Sequence, residues 1–435
     1  MKILLVGNGG REHAIAEAIL RSRHKPELLV LATKNNPGIR ALAAFYEIVS
    51  NLSDPQALEE FVKKTKPDLA FIGPDNPIGD GMTDVLEGLG VPTASPFKAQ
   101  AKLESSKGFT RDLLQKYGIP GNPKFQRFDD VDEAAEFLVE LGEHFVVKAD
   151  GLAFGKGVKV SGDHLSSHQD ALHFVKECLG GGHQSVVIEE KLVGVEFSMM
   201  AFCDGEHLSF MPLVQDHKRA YEGDRGPNTG GMGSYSDANH RLPFLTEKDV
   251  FDAQHICQKV IKAVFEETGQ PYKGILYGGF MAVRSGIKLI EFNARFGDPE
   301  AMNVLPILET DFVDVCDAIL HGTLDRTEIR FAPQATVCLY VVPEGYPDHS
   351  RTGEAIQVGP MPQDVRLYYS SVDERDGEII STASRSLGIV GIGNSIEEAR
   401  LKAVDGLGQV QGTIAFRKDI GSVSLIRQRM DHALP

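Results

Sequence analysis

The sequence predicts a multidomain protein of mixed α/β and α+β class, and three observations support that prediction. The 435 residues exceed what a single hydrophobic core usually supports, so two to four domains are expected. Strand and helix patterns alternate over the first hundred residues, which indicates an N-terminal parallel, doubly wound sheet. A strand-rich pattern begins with RFAPQATVCLYVVPEGYP, which indicates a C-terminal β-rich domain.

The N-terminal domain is expected to span residues 1–101. Apolar runs predict strands at Lys2–Val6, Leu28–Ala32 and Leu69–Ile72. Apolar residues recur at helical spacing in Arg11–Ser22, and Pro55–Thr65 is a second predicted helix. Near residue 101 the pattern becomes helical, so we place a domain boundary there.

The central domain is expected at residues 102–326 and includes a small α+β subdomain at about 123–193. Its clearest strands are Glu196–Asp204, Leu276–Arg284 and Lys288–Phe292, with a long helix at Glu247–Thr268 between them. A further helix, Asp311–His321, precedes the C-terminal domain, which we expect at 327–435.

The composition disfavours several classes of partner. The formal net charge of −16 argues against nucleic acid and acidic membrane surfaces, because both require a basic face. The five cysteines are far apart and include no C-x-x-C, so neither a zinc site nor a disulfide framework is indicated. The apolar run at the N-terminus is too short for a signal peptide or a membrane span. We therefore expect a cytoplasmic protein that acts on small molecules.

The stretch VVKADGLAFGKGVKV, residues 146–160, has the composition of a phosphate-binding loop. A Walker A loop does not fit, because its glycines are one residue too close and Gly157 stands where Ser or Thr is needed. Strand-like runs at Phe145–Lys148 and Val158–Val160 flank the loop. We expect the tip of a hairpin that closes over an anion.

GNGGREHA joins the first strand to the first helix. A dinucleotide fingerprint is incomplete, because Glu12 occupies its third glycine position and the second strand ends without an acidic residue. Free N–H groups at a helix start still favour an anion, and Arg11 adds positive charge. A phosphate site at Gly9, Gly10 and Arg11 is one interpretation, and a plain tight turn is the other.

LIEFNARFGDPE, residues 289–300, is the strongest motif. Glu291 and Asn293 alternate on one face of a strand, and both offer oxygen, the ligand type that Mg²⁺ prefers. Arg295 is next on that face, where it could offset charge on a phosphoryl group during transfer. A buried structural salt bridge is the alternative.

Three further segments carry weaker signals. FIGPDNPIGDG follows a strand end, where open sheets bind ligands, so Asp75 could hold a hydroxyl group; an ordinary turn is equally consistent. VIEEKLVGVEFS has two interpretations. Its backbone could hydrogen-bond to the edge of adenine, with Glu196 binding the ribose hydroxyl groups, or the segment could be a solvated hairpin. The glycine-rich segment at 215–236 has the composition of a binding loop or a flexible linker.

Together these motifs resemble the ATP-grasp superfamily and, within it, the phosphoribosylamine–glycine ligases, also called glycinamide ribonucleotide synthetases. The resemblance extends from Met1 to about Gly406 and rests on six motifs in order: GNGGREHA, KADGLAFGKGV, VIEEKL, QDHKR, GPNTGGMG and EFNARFGDPE. It implies that the central domain is an ATP-grasp domain whose subdomain is a lid over ATP. The sequence departs from the family pattern at Asp75, Phe154, Ala301 and Met302.

The resemblance also implies roles for individual residues. The implied ATP-binding residues are Lys107, Lys148, Gly151, Gly155, Lys156, Gly157, Glu189, Glu190, Leu192 and Glu196. The implied substrate-binding residues are Gly9, Gly10, Arg11, Asp75, His217, Lys218, Asn228, Gly230, Gly231 and Arg295. The implied catalytic residues are Arg295, Lys148 and Asp216, and the implied ligands for Mg²⁺ or Mn²⁺ are Glu291 and Asn293.

The implied reaction joins glycine to 5-phospho-β-D-ribosylamine in de novo purine synthesis. ATP would phosphorylate the glycine carboxylate, and the amine would then displace phosphate from glycyl phosphate to give glycinamide ribonucleotide. The partners are small molecules, and we expect a monomer or a weak homodimer.

Two alternatives remain open. Another ATP-grasp ligase, such as a biotin carboxylase or a carboxyaminoimidazole ribonucleotide synthetase, shares the loop and the metal strand, although GNGGREHA and QDHKR argue against it. A non-catalytic ATP-binding regulator is a different class, and the joint presence of Lys148, Glu291 and Arg295 argues against that. A nicotinamide oxidoreductase is disfavoured by Glu12.

Overall fold

The computed structural model describes residues 1–151 and 157–433, and it begins with a four-stranded parallel sheet. The strand order is β3-β2-β1-β4, which confirms the predicted doubly wound parallel sheet. The strand β3 was not expected from the sequence. The elements of this part are β1 (Lys2–Val6), α1 (Gly10–Leu20), β2 (Glu27–Ala32), α2 (Pro37–Leu42), β3 (Phe45–Ile48), α3 (Pro55–Thr65), β4 (Leu69–Ile72), α4 (Asp75–Asp80) and α5 (Met82–Gly88).

Local sequence explains where these elements begin and end. The β1 and β4 side chains are almost all buried, as expected for parallel strands that helices cover. Helix α3 begins at Pro55 because the Asp54 side chain accepts hydrogen bonds from two N–H groups of the first turn. It ends at Thr65, because the next residue, Lys66, has a left-handed φ of 54°.

The next part is a small antiparallel sheet with its own hydrophobic core, formed by side chains such as Phe137, Phe145 and Phe174. The strand order is β5-β8-β6-β7. Strands β6 and β7 pair directly, which confirms the predicted hairpin around the glycine-rich loop. The elements are α6 (Lys98–Ser105), α7 (Lys107–Lys116), β5 (Phe125–Phe128), α8 (Val131–Leu141), β6 (Phe145–Ala149), β7 (Val158–Val160), α9 (His168–Gly180) and β8 (Val186–Glu190).

A second antiparallel sheet, in the order β10-β9-β15-β16, forms the floor of the central region. The elements are β9 (Gly194–Asp204), β10 (Leu208–Phe210), β11 (Gln215–Asp216), β12 (Arg219–Tyr221), β13 (Arg225–Asn228), β14 (Gly233–Ser236), α10 (Glu247–Thr268), β15 (Lys273–Val283), β16 (Gly286–Asn293), α11 (Glu300–Val304) and α12 (Phe312–His321). The predicted strands and the long helix of this region are present with boundaries shifted by at most three residues.

The C-terminal part is rich in antiparallel strands, as predicted, and its main sheet also includes β11 and β14 from the central region.

The proposed division of the chain into domains at 1–101, 102–326 and 327–435 stays a prediction. In the described part of the chain, no helix combines the length and apolar character needed to cross a membrane. The elements are β17 (Ala335–Pro343), β18 (Ala355–Val358), β19 (Val365–Tyr369), β20 (Val372–Arg375), β21 (Glu378–Ser381), β22 (Leu387–Gly393), α13 (Ile396–Leu407), β23 (Val410–Gln411), β24 (Ile414–Ala415) and α14 (Val423–Ala433).

Candidate active site

A cleft opens over the floor sheet. The strand register places Ser198 of β9, Gly279 of β15 and Glu291 of β16 side by side. Because Gly279 has no side chain, the middle of this row is open. The cleft is lined by Glu196, Phe197, Ser198, Asp216, Lys218, Tyr277, Gly279, Ile290 and Glu291.

Cationic side chains converge on Glu291. Burial acts to raise the pKa of this carboxyl group, yet its pKa lies below the ordinary value because of nearby positive charge. The charges belong to Lys218, Lys148, Lys107 and Arg295. Glu291 is therefore an ionised carboxylate under the influence of several cationic side chains, an arrangement suited to a phosphate chain.

Asn293 and Arg295 share a buried partner, Glu104, that the sequence did not indicate. Arg295 Nη2 lies 2.8 Å from Glu104 Oε1 and 3.9 Å from Asp75 Oδ2. In the amide orientation that satisfies its neighbours, Asn293 donates to Glu104 Oε1 at 3.0 Å. Arg295 thus forms the buried salt bridge considered as an alternative, while its Nε is buried without a partner among the described residues.

Lys148 is part of a buried ionic cluster with Glu189 and Arg111. Lys148 Nζ lies 2.8 Å from Glu189 Oε2. Arg111 Nε and Nη2 lie 2.6 and 3.1 Å from the two Glu189 carboxylate oxygens. Glu189 is buried on β8 between β5 and β6, and its predicted role at adenine stays a prediction.

The rest of the predicted adenine segment follows Glu189. The Glu190 N–H donates to Lys124 O at 2.9 Å, whereas the Leu192 N–H has no partner among the described residues. Glu196, predicted to bind ribose, lies 3.3 Å from Lys218 Nζ at its Oε2 atom. The segment therefore offers the unpartnered Leu192 N–H group, and Glu196 offers a carboxylate paired with Lys218.

Lys107 lies at the start of α7 because the Ser106 side chain caps this helix. Its ammonium group donates to Gly151 O at 2.8 Å, at the beginning of the predicted phosphate loop. At the other end of the loop, Gly157 O accepts from Ala149 N–H at 2.8 Å. The predicted Gly155 and Lys156 lie outside the described residues.

Asp216 lines the cleft with an unused oxygen. Its Oδ1 atom is buried and has no hydrogen-bond partner among the described residues. Burial, and then the charge of Glu300, raise the pKa of Asp216 well above its ordinary value, although Lys218 and Arg385 oppose this. Such a carboxyl group is suited to proton transfer.

His217 faces a different environment from Asp216. Its Nδ1 lies 3.3 Å from Asp224 Oδ1, and Asp224 also binds Arg417 and Arg429 of the C-terminal part. Burial lowers the pKa of His217, and its Nε2 is buried without a partner among the described residues. The C-terminal segment therefore fixes this predicted substrate residue.

The turn before α1 is already occupied by Glu12. The Gly9 N–H donates to Glu12 Oε2 at 2.5 Å, and Arg11 Nε donates to Glu12 Oε1 at 2.6 Å. Arg11 also donates to Phe296 O at 3.1 Å. A Cβ atom on Gly73 would lie 2.3 Å from the same carboxylate. Glu12 thus fills the turn that a dinucleotide would need, and Gly10 is the remaining backbone candidate there.

The loop that contains Asn228, Gly230 and Gly231 is held by the C-terminal part. Arg385 Nη1 donates to Gly230 O at 2.6 Å, to Gly231 O at 3.2 Å and to Asp298 O at 2.9 Å. Asn228 is exposed on β13. The predicted substrate loop therefore borders the cleft next to the motif that follows β16.

Comparison with known proteins identifies the family. The N domain of phosphoribosylglycinamide synthetase matches residues 1–104, its ATP-grasp domain matches 105–301, and its C domain matches 336–423. The chain belongs to the phosphoribosylglycinamide synthetase family. This confirms the predicted family, the ATP-grasp fold and the assignment to ATP-dependent ligases of purine biosynthesis.

Individual relatives agree with the family match. The phosphoribosylamine–glycine ligase of Methanocella arvoryzae is 48% identical over 432 residues, covering 99% of each chain. That of Methanococcus maripaludis is 47% identical over 442 residues, covering 99% of this chain and 98% of the relative. A crystal structure of the Thermotoga maritima ligase has a TM-score of 0.81 at 28% identity, covering 97% of this chain and 100% of that one.

A biotin carboxylase from Campylobacter jejuni has a TM-score of 0.74 at 14% identity, covering 98% of this chain and 95% of that one. At this identity the likeness shows a shared fold alone. The sister ligases considered from sequence thus share the architecture, whereas the family match separates this chain from them. The roles of individual site residues stay predictions.

Proposed function

We propose that this chain joins glycine to 5-phospho-β-D-ribosylamine through a glycyl phosphate intermediate, with ATP converted to ADP and phosphate. The observation that carries this proposal is the cleft in which Lys107, Lys148, Lys218 and Arg295 converge on the ionised Glu291. A carboxylate is a poor electrophile, so its activation requires a phosphoryl donor held in place with its charge offset.

In the first step, a glycine oxygen attacks the γ-phosphorus of ATP, and ADP leaves. Lys107 and Lys148 offset negative charge on the phosphates beneath the lid. Gly151 and Gly157 form the two ends of the phosphate loop in this lid. Lys156 and Gly155 are proposed to complete this loop. The unused Leu192 N–H reads the adenine edge next to Glu190, and Glu196 holds the ribose hydroxyl groups.

Glu291 and Asn293 fit a divalent cation, Mg²⁺ or Mn²⁺. One is an ionised carboxylate, and the other is an amide whose N–H group donates to Glu104, so each can offer an oxygen atom to a hard cation. When bound, the cation would neutralise charge on phosphate oxygens. Arg295 lies beside this pair and is proposed to stabilise charge on the transferred phosphoryl group.

In the second step, the amine nitrogen of phosphoribosylamine attacks the acyl carbon, and the C–O bond to phosphate breaks. We assign Asp216 as the group that accepts the proton lost by the nitrogen. Its Oδ1 atom is unpartnered in the cleft, and its raised pKa makes it a stronger base than an ordinary carboxylate.

The phosphoribosyl end is proposed to lie between the N-terminal part and the loop across the cleft. The residues assigned to it are Gly9, Gly10, Arg11, Asp75, His217, Lys218, Asn228, Gly230 and Gly231. Of the first three, Gly10 has the backbone least engaged by Glu12. A cytoplasmic location and a monomeric or weakly dimeric state also stay predictions.

The test measures ADP release from ATP and Mg²⁺ in the presence of glycine and freshly prepared phosphoribosylamine, with each left out in turn. Turnover that needs both substrates is the expected result. Turnover with bicarbonate or another carboxylate in place of glycine would show a sister ligase. ATP binding without turnover under every condition would show a regulator.

A further inference from the structure

Arg111 is buried behind the cleft and lies outside the motifs that point to function. It lies on α7, four residues after Lys107, so the two side chains share one face of the helix. Arg111 is 2% exposed at its side chain, and its partner Glu189 is 4% exposed. An ion pair removed from water to this degree is costly to form, and breaking it leaves an uncompensated charge.

The contacts of Arg111 fix its guanidinium on one side of Glu189. Nε lies 2.6 Å from Glu189 Oε1, and Nη2 lies 3.1 Å from Glu189 Oε2. Nη2 also donates to Ile290 O at 2.7 Å, and Nη1 donates to Asn122 Oδ1 at 3.4 Å. Arg111 therefore engages both oxygens of the carboxylate and anchors it to β16.

Lys148 binds the same carboxylate and shares two acceptors, Glu189 Oε2 and Ile290 O, with Arg111. Its Nζ lies 2.8 Å from Glu189 Oε2 and donates to Ile290 O at 3.2 Å. An ammonium group has three N–H donors, and two have partners among the described residues. Ile290 and the neighbouring Glu291 line the cleft, so Lys148 lies at its edge.

The charges of the three side chains do not cancel. One carboxylate faces two cations, so the cluster keeps a net positive charge. Without Arg111, Lys148 and Glu189 would form a closed, neutral pair. The ammonium group would then be held by a full carboxylate charge instead of one shared with a guanidinium.

We infer that Arg111 is a positioning residue for ATP: it takes up the charge of Glu189 so that Lys148 remains available to the phosphates. This rests on the proposed role of Lys148 at the ATP phosphates. Arg111 itself need not touch ATP. Arg111 acts through charge balance, which distinguishes its role from a purely structural one.

The test compares Arg111→Gln, Arg111→Lys and the double variant Arg111→Gln/Glu189→Gln in the full-length enzyme. KM for ATP, KM for glycine, kcat and thermal stability are measured for each. Arg111→Gln should raise KM for ATP about 10- to 100-fold, the range typical when an outer partner of a ligating group is lost. KM for glycine should change less than about 3-fold on that same scale.

The double variant decides between charge balance and structure. It again frees Lys148 from the charge of Glu189, so KM for ATP should return to within about 5-fold of wild type on that scale. If Arg111 served the fold alone, losing both partners would leave KM for ATP at least as high as in Arg111→Gln, and this would overturn the inference. Arg111→Lys keeps the charge and should retain most ATP affinity. Equal KM values for the Lys and Gln variants would also overturn it.

Two further variants complete the design. Arg400→Gln breaks an ion pair with Glu397 on α13, with contacts of 2.7 and 2.9 Å, and should leave KM for ATP unchanged. Lys148→Met tests the underlying proposal. If it leaves KM for ATP unchanged, the proposed role of Lys148 fails and the inference fails with it. If it raises KM for ATP while Arg111→Gln does not, the inference alone fails.

If Arg111→Gln does not fold, Arg111→Lys is used for the test instead. A tenfold rise in the KM of Arg111→Lys for ATP would then refute charge balance.

Discussion

Asp224→Asn is expected to destabilise the protein through the C-terminal segment that holds His217. The Asp224 carboxylate lies 2.9 Å from Arg417 Nη1, 2.5 Å from Arg429 Nη2 and 3.3 Å from His217 Nδ1. Asparagine keeps the shape of the side chain and removes its charge. The substitution therefore tests electrostatics with little change in packing.

The magnitude follows from burial and from the partners that remain. Breaking a buried ion pair by removing one partner costs about 3–5 kcal/mol. The Arg417 side chain is 1% exposed, so leaving its charge without Asp224 should cost free energy in the upper part of this range. It keeps Asp419 at 2.7 Å, however, and Asp224 is 19% exposed, which reduces the loss. We expect a decrease of about 2–3 kcal/mol in the free energy of unfolding.

The decrease should depend on pH in one direction. Burial acts to raise the pKa of Asp224, but His217, Arg429 and Arg417 outweigh it, and the pKa lies below the ordinary value of 3.8. A carboxylate with a lowered pKa in the folded state stabilises the protein above its unfolded pKa. That stability is lost as the pH falls through the folded pKa. The difference between wild type and Asp224→Asn should therefore be full at pH 7 and shrink below about pH 4.

Urea unfolding at pH 7 and at a series of values down to pH 3 measures this difference. Asp405→Asn, an exposed substitution on α13, is the matched control and should change stability by less than about 0.5 kcal/mol. A loss below about 0.5 kcal/mol for Asp224→Asn at pH 7 would refute the reasoning. So would a loss that stays constant down to pH 3.

Three further predictions concern the cleft. Asp216→Asn should lower kcat by about 10²–10⁴-fold. A pH–rate profile should also lose the rise of kcat/KM that deprotonation of Asp216 produces, and an unchanged profile would exclude Asp216 as the base. Glu291→Gln should raise the Mg²⁺ concentration that gives half-maximal activity by about 10-fold or more, and an unchanged Mg²⁺ titration would exclude it as a ligand. Gly231→Ala should lower both stability, by about 1–3 kcal/mol, and kcat, because φ is +112° and the added Cβ would lie 2.5 Å from Asp216 Oδ1. Gly269→Ala is its control: φ is +71° in open space, so strain alone applies and kcat should be unchanged.

The fold was largely predictable because the local sequence determines most of its strands and helices. Alternating apolar runs and helical spacing indicated β1, β2 and β4 with their helices. β3 was missed because it is only four residues long, FYEI, and Glu47 interrupts its apolar residues, none of which is fully buried. The entry of β11 and β14 into the C-terminal sheet was also not predictable, since it depends on pairing across about a hundred residues.

The site residues were predictable from the sequence only where they lie within recognisable motifs. Residues such as Glu291 and Lys148 lie in recognisable segments, whereas Glu104 and Arg385 act on partners far along the chain. Arg111 offered one signal, its spacing of four from Lys107 on a helix. Glu12 shows the reverse case: the sequence disfavoured a dinucleotide, but only the structure shows that the carboxylate fills the turn.

The net charge of −16 disfavours a polyanionic partner and yet says nothing about the sign of the charge at the site. The cleft concentrates cations, and most of them have a carboxylate nearby. Lys148 has Glu189, Arg295 has Glu104, and Lys218 has Glu196. Because such pairs hold cations close together despite their mutual repulsion, the site can gather positive charge inside an acidic protein. We therefore expect substitution of a carboxylate partner to alter ligand affinity as well as stability.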